Sequence, residues 1–330
     1  MDSKHTAESI LSMARDFMAS RVILSGAELD LFTLLAHKPL NAEQAAEAKN
    51  ADLRGMTILL DALAALDFLI KKDGCYRLEA SLAPLLSADG PDSVLPMILH
   101  LGTVWNNWSR LTDIVSGKAT VHMEKQGVLS HEHIEAFIGA MHVVGSKTAP
   151  QVAAVINPGR ARRFLDVGGA SGTYTLAFLA AAPKLKATLY DLPQVVEMAR
   201  KRISNAGMAH RVTFVSGDFN NDPLPPGHDL VLLSAIIHQN SLKQNNNLFE
   251  RIFQALEQGG RIVIRDYVMS PDQTEPRSGA LFAVNMLTGT AGGNTYTFEE
   301  IKKGLTEAGF TRINVIQIKE MSSLVEAFKR

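Results

Sequence analysis

The chain has 330 residues, 46% hydrophobic and 20% charged, with a formal net charge of −1. These proportions fit an ordinary globular chain of about two domains, and the balanced charge excludes a protein drawn as a whole to nucleic acid or to an anionic membrane. The single cysteine, Cys75, rules out an intrachain disulfide and a metal site built on several thiolates, and it suits a reducing compartment. The first 21 residues mix charges of both signs with apolar residues, unlike a signal peptide, and no apolar run reaches the roughly 18 residues of a membrane span. A cytoplasmic enzyme is expected.

Residues 1–100 carry helical periodicity. Ile10, Met13, Ala14, Phe17 and Met18 recur at helix spacing, as do Leu29, Leu31, Phe32, Leu34 and Leu35. Asn41 reads as the cap of a short helix through Ala48. A third helix is expected over 53–66, with Met56, Leu59, Leu60, Leu63 and Leu66 on one side. Two short apolar runs around Asp73-Gly74 predict a β-hairpin within 68–78. Helices followed by a hairpin is the order of a winged helix, a module that often binds DNA. Here residues 1–100 hold 14 Asp and Glu against 9 Lys and Arg, a local charge of −5, and the third helix offers Asp52, Arg54 and Asp61 in place of a basic stripe. Phosphate contacts need clustered cations, so packing or dimerisation is the expected role.

Residues 101–158 form a second helical region. One apolar stripe runs through Trp105, Trp108, Leu111, Ile114 and Val115, another through Ile134, Phe137, Ile138, Met141 and Val144, with a less regular connection over 117–131. His131-Glu132-His133 sets two histidines at i and i+2, which point apart on a helix, so a solvated helix start is expected there and no metal site.

From residue 159 the rhythm changes to strand and helix. Strands are expected over 163–167, 187–191, 212–215, 229–234 and 261–265, with helices over 173–182, 195–206, 248–258 and 298–308. Two last strands, over 313–318 and 323–328, follow one another closely and should be antiparallel. The class is α/β, with a mainly parallel sheet covered on both faces.

The strongest local signal is Leu165-Asp166-Val167-Gly168-Gly169-Ala170-Ser171-Gly172, a strand entering a glycine-rich turn and then a helix. Glycine permits φ > 0 and close approach of a ligand, and the helix start offers free N–H groups. The spacing is not that of the dinucleotide fingerprint G-x-G-x-x-G. Asp191 ends the second strand 19 residues beyond Gly172, where a carboxylate can accept both ribose hydroxyls. The third strand ends in Ser216-Gly217-Asp218-Phe219, where Asp218 can accept from an adenine amino group and Phe219 can pack on its ring; a turn Asp and a core Phe would look the same.

Taken together, Asp166–Gly172, Tyr190-Asp191-Leu192-Pro193 and Gly217-Asp218-Phe219 resemble the S-adenosylmethionine-dependent small-molecule O-methyltransferases of plants and bacteria. The resemblance covers nearly the whole chain and extends to Asn285-Met286-Leu287, Gly292-Gly293 and Glu307-Ala308-Gly309-Phe310. It implies a Rossmann-like, seven-stranded methyltransferase domain over 159–330, an N-terminal winged-helix dimerisation domain over 1–100, a homodimer, and S-adenosyl-L-methionine as cofactor, with no metal. It implies cofactor contacts at Asp166, Gly168, Gly169, Gly172, Asp191, Leu192, Gly217, Asp218, Phe219 and Ser234. His238 stands where that family has its general base, and Asp266 keeps an acidic site after the fifth strand. An imidazole suits proton removal near neutral pH; a capping or core histidine is the plainer alternative. The acceptor pocket would be lined by Trp105, Trp108, Met141, His142, Asn285 and Met286. Two positions depart from the family pattern: Gln239 follows the histidine, and Thr295 or a neighbour stands where an acidic residue is usual. Transfer to carbon or sulfur, a ligand-sensing regulator with an idle methyltransferase-like domain, and an NAD-dependent oxidoreductase are the competing readings.

Overall fold

The computed structural model describes residues 5–120 and 131–330, with the backbone alone for residues 131–137. The side chains of His131, Glu132, His133, Ile134 and Phe137, and most of the expected connection over 117–131, lie outside the described residues. The chain forms two compact units, Met1–Trp105 and Asn106–Arg330. No described helix is long and apolar enough to cross a membrane.

The first unit contains α1 (Ala7–Arg15), α2 (Phe17–Glu28), α3 (Leu31–His37), β1 (Leu40–Asn41), α4 (Ala42–Lys49), α5 (Leu53–Ala65), β2 (Leu69–Lys72), β3 (Cys75–Leu78), α6 (Ala83–Leu86) and most of α7 (Leu95–Trp108). Local chemistry sets these boundaries. Asn41 Oδ1 accepts from the Gln44 N–H, and Gln44 Oε1 accepts from the Asn41 N–H, a reciprocal cap that starts α4. Asp73 and Gly74 both have φ > 0, at 49° and 76°, as a two-residue hairpin turn requires. The resulting β2–β3 hairpin pairs Leu69 with Leu78 and Lys72 with Cys75. Leu31, Phe32, Leu35, Leu60, Leu63 and Tyr76 are fully buried at its centre. The stripe of Ile10, Leu11, Met13, Phe17 and Met18 on α1 and α2 stays about half exposed. Leu11, Met18, Val22, Ala62 and Leu66 line a groove of about 870 Å³.

The second unit continues with α8 (Leu111–Val115), α9 (His131–Ser146) and α10 (Ala149–Ile156). Strand and helix then alternate: β4 (Arg163–Val167), α11 (Thr173–Ala181), β5 (Lys186–Asp191), α12 (Pro193–Asn205), β6 (Val212–Ser216), β7 (His228–Ser234), α13 (Leu242–Ala255), β8 (Leu256–Asp266), β9 (Val268–Met269), α14 (Arg277–Gly289), β10 (Tyr296–Thr297), α15 (Phe298–Glu307), β11 (Thr311–Gln317) and β12 (Ser323–Phe328). Seven strands form one sheet in the order β11-β12-β8-β7-β4-β5-β6, parallel from β8 through β6, with β12 antiparallel to both its neighbours. One face packs Val231, Leu233, Ile262 and Ile264 on Leu248, Phe249 and Ile252 of α13 and Ile301 and Leu305 of α15. The other face packs Phe164, Leu230 and Val263 on Val152 and Ile156 of α10 and Phe178 and Leu179 of α11. The order reverses beside β4, which is where an open α/β sheet leaves a crevice at its carboxyl ends.

Helices α13 and α14 depart furthest from the sequence expectation, and the short strands β1, β9 and β10 are additions to it. The helix expected over 248–258 runs over Leu242–Ala255, because Ser241 and Gln244 form a cap almost two turns earlier, and Leu256 already begins β8. Lys329 Nζ donates to the carbonyls of Phe253 and Leu256 and so closes that helix end. Helix α14 was not expected as an element at all; it follows Pro276 and carries Phe282, Asn285 and Met286.

Arg211 fixes the far end of α11. Its guanidinium donates to the carbonyls of Leu179, Ala182 and Leu185 at 2.6–3.0 Å. Replacing it by methionine leaves these carbonyls without their charged donor. Arg211→Met should lower unfolding stability by about 2–3 kcal/mol in urea titration; an unchanged midpoint would show that the clamp adds nothing.

Candidate active site

The site is built at the carboxyl ends of β4, β5, β7 and β8. The glycine loop leaves β4 and folds back on β5: Gly168 N–H donates to the Tyr190 carbonyl at 2.8 Å, and Gly172 N–H to the Gly169 carbonyl at 2.8 Å. Gly168 and Gly172 have φ of +68° and +75°, in the left-handed region. A Cβ at Gly168 would also run into Ile236, and one at Gly172 into Ile203. Ala170, at φ +47°, holds the same kind of backbone with a side chain present.

Asp191 links the loop to the strand end. One carboxylate oxygen accepts from Ala170 N–H at 2.8 Å and the other from Leu192 N–H at 2.7 Å. Burial pushes its carboxyl above the usual range, and these two N–H groups pull the other way. The Asp191 carbonyl accepts from Gly217 N–H at 3.0 Å, which brings in the third expected segment. Phe219 lies beside Gly168, while the Asp218 carboxylate accepts from Asn220 N–H and from Asn221 Nδ2. Leu192 is 42% exposed. Asp166 sits below the loop, buried, and its Oδ2 accepts from Thr175 Oγ1 at 2.6 Å. Burial, with the nearby Asp191 carboxylate, pushes the Asp166 carboxyl up to about 7 against the donor bond from Thr175.

His238 lies in the turn after β7, and Asp266 ends β8. His238 Nδ1 is 2.9 Å from both Asp266 oxygens, and the pair is nearly enclosed. Asp266 Oδ1 also accepts from Tyr267 N–H at 2.9 Å. Phe282 of α14 stands edge-on to the imidazole with ring centres 4.8 Å apart, and Tyr267 lies 5.3 Å beyond Phe282. Asn285, one turn further along α14, accepts from Trp108 Nε1 at 2.9 Å. Met286 is buried, and Met141 is half-buried on α9. His142 Nδ1 lies 2.8 Å from Thr173 Oγ1, itself 2.7 Å from Ser171 Oγ, so a chain of three polar groups ties α9 to the glycine loop. Ser234 ends β7 and accepts from Arg265 Nη1 at 3.3 Å. Trp105 belongs to the first unit, where its ring lies 6.2 Å from Phe17. Thr295 is buried, with its hydroxyl donating to the Gly279 carbonyl. Among the described residues no group of His, Cys, Asp and Glu could hold a metal ion.

Sequence reasoning missed Phe282, Tyr267, Thr175, Ile236 and Arg265. Phe282 had a visible signal, because Phe282, Asn285 and Met286 share helical spacing behind Pro276. Thr175 and Ile236 matter only through contacts made across the fold, which no local pattern shows.

A mainly parallel sheet with a glycine loop after β4, a carboxylate at the end of β5 and a histidine–aspartate pair at the ends of β7 and β8 has the layout of a Rossmann-like domain. Residues 129–311 match the O-methyltransferase domain family, and residues 11–86 match the O-methyltransferase dimerisation domain. The chain is 31% identical over 319 residues to 3-hydroxy-5-methyl-1-naphthoate 3-O-methyltransferase of Streptomyces sahachiroi, covering 93% of this chain and 90% of that one. It is 31% identical over 321 residues to the tetracenomycin polyketide synthesis 8-O-methyl transferase TcmO of Streptomyces glaucescens, covering 96% and 94%. Human N-acetylserotonin methyltransferase, in its crystal structure with S-adenosylmethionine, superposes with a TM-score of 0.83 at 27% identity, covering 100% of this chain and 99% of that one. The chain belongs to the O-methyltransferase family and is an S-adenosylmethionine-dependent O-methyltransferase.

The raised carboxyl of Asp166 makes a stability prediction with a fixed sign. The folded state holds this proton to about pH 7, whereas an unfolded aspartate releases it near 3.8. The contribution is therefore full below about pH 4 and is lost as pH rises to about 7. The melting temperature of the protein should fall relative to that of Asp166→Asn across this window; parallel curves would refute the assignment.

Proposed function

We propose that the enzyme methylates a hydroxyl of a small aromatic or conjugated acceptor, with His238 as general base. The observation that carries this reading is the His238–Asp266 pair at the carboxyl edge, walled by Phe282. Donation from Nδ1–H to the carboxylate fixes the tautomer and leaves Nε2 as a proton acceptor. Nε2 removes the proton of the acceptor hydroxyl, and Asp266 stabilises the imidazolium that results. Phe282 and Tyr267 limit the motion of the ring and offer aromatic surface beside it. When bound, S-adenosylmethionine supplies an electrophilic methyl group on a sulfonium sulfur. Its residues here are the glycine loop Gly168, Gly169 and Gly172 above Asp166, Asp191 and Leu192 for the ribose, Gly217, Asp218 and Phe219 for the adenine, and Ser234. The glycines let the loop pass close over the protein's own side chains, since a Cβ at Gly168 would meet Ile236 and one at Gly169 would meet Leu189, and the Asp191 carboxylate at the adjoining strand end suits ribose hydroxyls. Trp108, Met141, Asn285 and Met286 line the acceptor side; His142 serves from α9, hydrogen-bonded to Thr173 beside the glycine loop. An aromatic acceptor accords with the naphthoate hydroxyl named for the Streptomyces sahachiroi relative.

The first unit is assigned to self-association. The half-exposed stripe on α1 and α2 and the adjoining groove offer apolar surface that a second copy would cover, in keeping with the dimerisation match over residues 11–86. Met18→Asp should shift the protein to monomer in sedimentation velocity; an unchanged dimer, or a monomeric wild type, would sink this assignment.

Methyl transfer to a panel of phenols, read together with calorimetric titration of the cofactor, tests the catalytic reading. His238→Ala should lower turnover by about 10²–10⁴ with cofactor affinity kept, and Asp191→Ala should lose cofactor binding. Normal turnover in His238→Ala would remove the base from the mechanism.

A further inference from the structure

Arg265 has no task in the reading above. It precedes Asp266 in β8 and is 4% exposed. Alternation along the strand sets Ile264 and Asp266 on the α13 face and turns Arg265 to the α11 face. Its Nη1 lies 3.3 Å from Ser234 Oγ and its Nη2 3.3 Å from Ser322 Oγ, while the guanidinium carbon stands 5.2 Å from the centre of the Tyr174 ring. Nε is buried with no hydrogen-bond partner. Among the described residues no carboxylate pairs with this group. Two long contacts to hydroxyls and one aromatic face compensate little of what a guanidinium loses on leaving water. The chain keeps a cation here that its own side chains do not neutralise.

The location narrows what would neutralise it. Ser234 and Arg265 are register partners at the ends of β7 and β8. Tyr174 lies two residues past Gly172, in the first turn of α11. The guanidinium therefore sits at the carboxyl edge of the sheet, where the glycine loop, β7 and β8 converge, on the side opposite the His238–Asp266 pair.

We propose that Arg265, with the hydroxyls of Ser234 and Ser322, is a carboxylate-binding site. The planar fork of N–H donors matches the two oxygens of a carboxylate, and the flanking hydroxyls can donate to its remaining lone pairs. Two sources share that chemistry: the amino-acid end of the sulfonium cofactor, and an acidic group on the acceptor. The glycine-loop neighbour Tyr174 favours the cofactor, a choice of source that rests on the methyl-transfer reading; the site itself does not.

Calorimetric titration of the full chain separates the outcomes. The ligands are S-adenosylhomocysteine, 5′-methylthioadenosine, which lacks the amino-acid end, and benzoate as a free carboxylate. Arg265→Met should bind S-adenosylhomocysteine about tenfold to a hundredfold more weakly, with methylthioadenosine unchanged and Arg265→Lys between the two. Unchanged nucleoside binding with loss of benzoate binding would assign the site to the acceptor's carboxylate. Equal affinities in wild type and Arg265→Met for all three ligands would overturn the proposal. Should the wild type bind neither nucleoside, the cofactor reading fails, and the benzoate comparison still decides this one. The thermal melt of Arg265→Met is the control for folding: removal of an uncompensated buried cation should leave the melting temperature level or higher. A lower melting temperature with unchanged affinities would show that the guanidinium serves the core and would also overturn the proposal.

Discussion

The end of β5 holds the site together. The Tyr190 carbonyl and both carboxylate oxygens of Asp191 accept N–H groups from Gly168, Ala170 and Leu192, and the Asp191 carbonyl accepts from Gly217. Three loops from three different strands thus converge on two adjacent residues. The bond from Ala170 N–H to the Asp191 carboxylate is partly buried, where an unmade bond is costly. Parallel pairing of β5 with β4 and β6 sets the height at which those residues stand, so the sheet register and the loop geometry are one constraint.

The same logic places the His238–Asp266 pair. His238 and Asp266 are 28 residues apart in sequence, and only the parallel alignment of β7 with β8 ends both strands at the same level. Ala235, at φ +58°, turns the chain sharply after Ser234, with its N–H bonded to the Arg265 carbonyl. That turn sends Ile236 toward Gly168 and His238 toward Asp266. Helix α14 then brings Phe282 against the imidazole and Asn285 to Trp108. The geometry around His238 is in this way set by backbone features that no side-chain pattern announces.

Much of the fold was legible because its signals are local. The glycine loop, the Asn41 cap, the Asp73-Gly74 turn and the alternation of strand and helix each depend on a few neighbouring residues. The position of His238 after a buried strand was legible for the same reason. What was hidden depends on partners distant in the chain. The start of α13 was misplaced because the polar run from Lys243 to Asn247 masks a capping box at Ser241. Helix α14 lacks a strong apolar period and is held by tertiary contacts to Trp108, His238 and Tyr267. The pairing of Asp166 with Thr175 and the isolation of Arg265 appear only once the sheet faces are known.

The left-handed alanines have a wider meaning. Glycine would suit the backbone at Ala170 and Ala235 better than alanine does, by about 1 kcal/mol each. Alanine removes disorder from the unfolded chain, and the surrounding hydrogen bonds keep the turn closed against its strain. A cradle held in shape by its own frame does not have to be ordered by whatever enters it. What enters pays little to order the frame, so the ordering cost of binding falls on the incoming molecule alone.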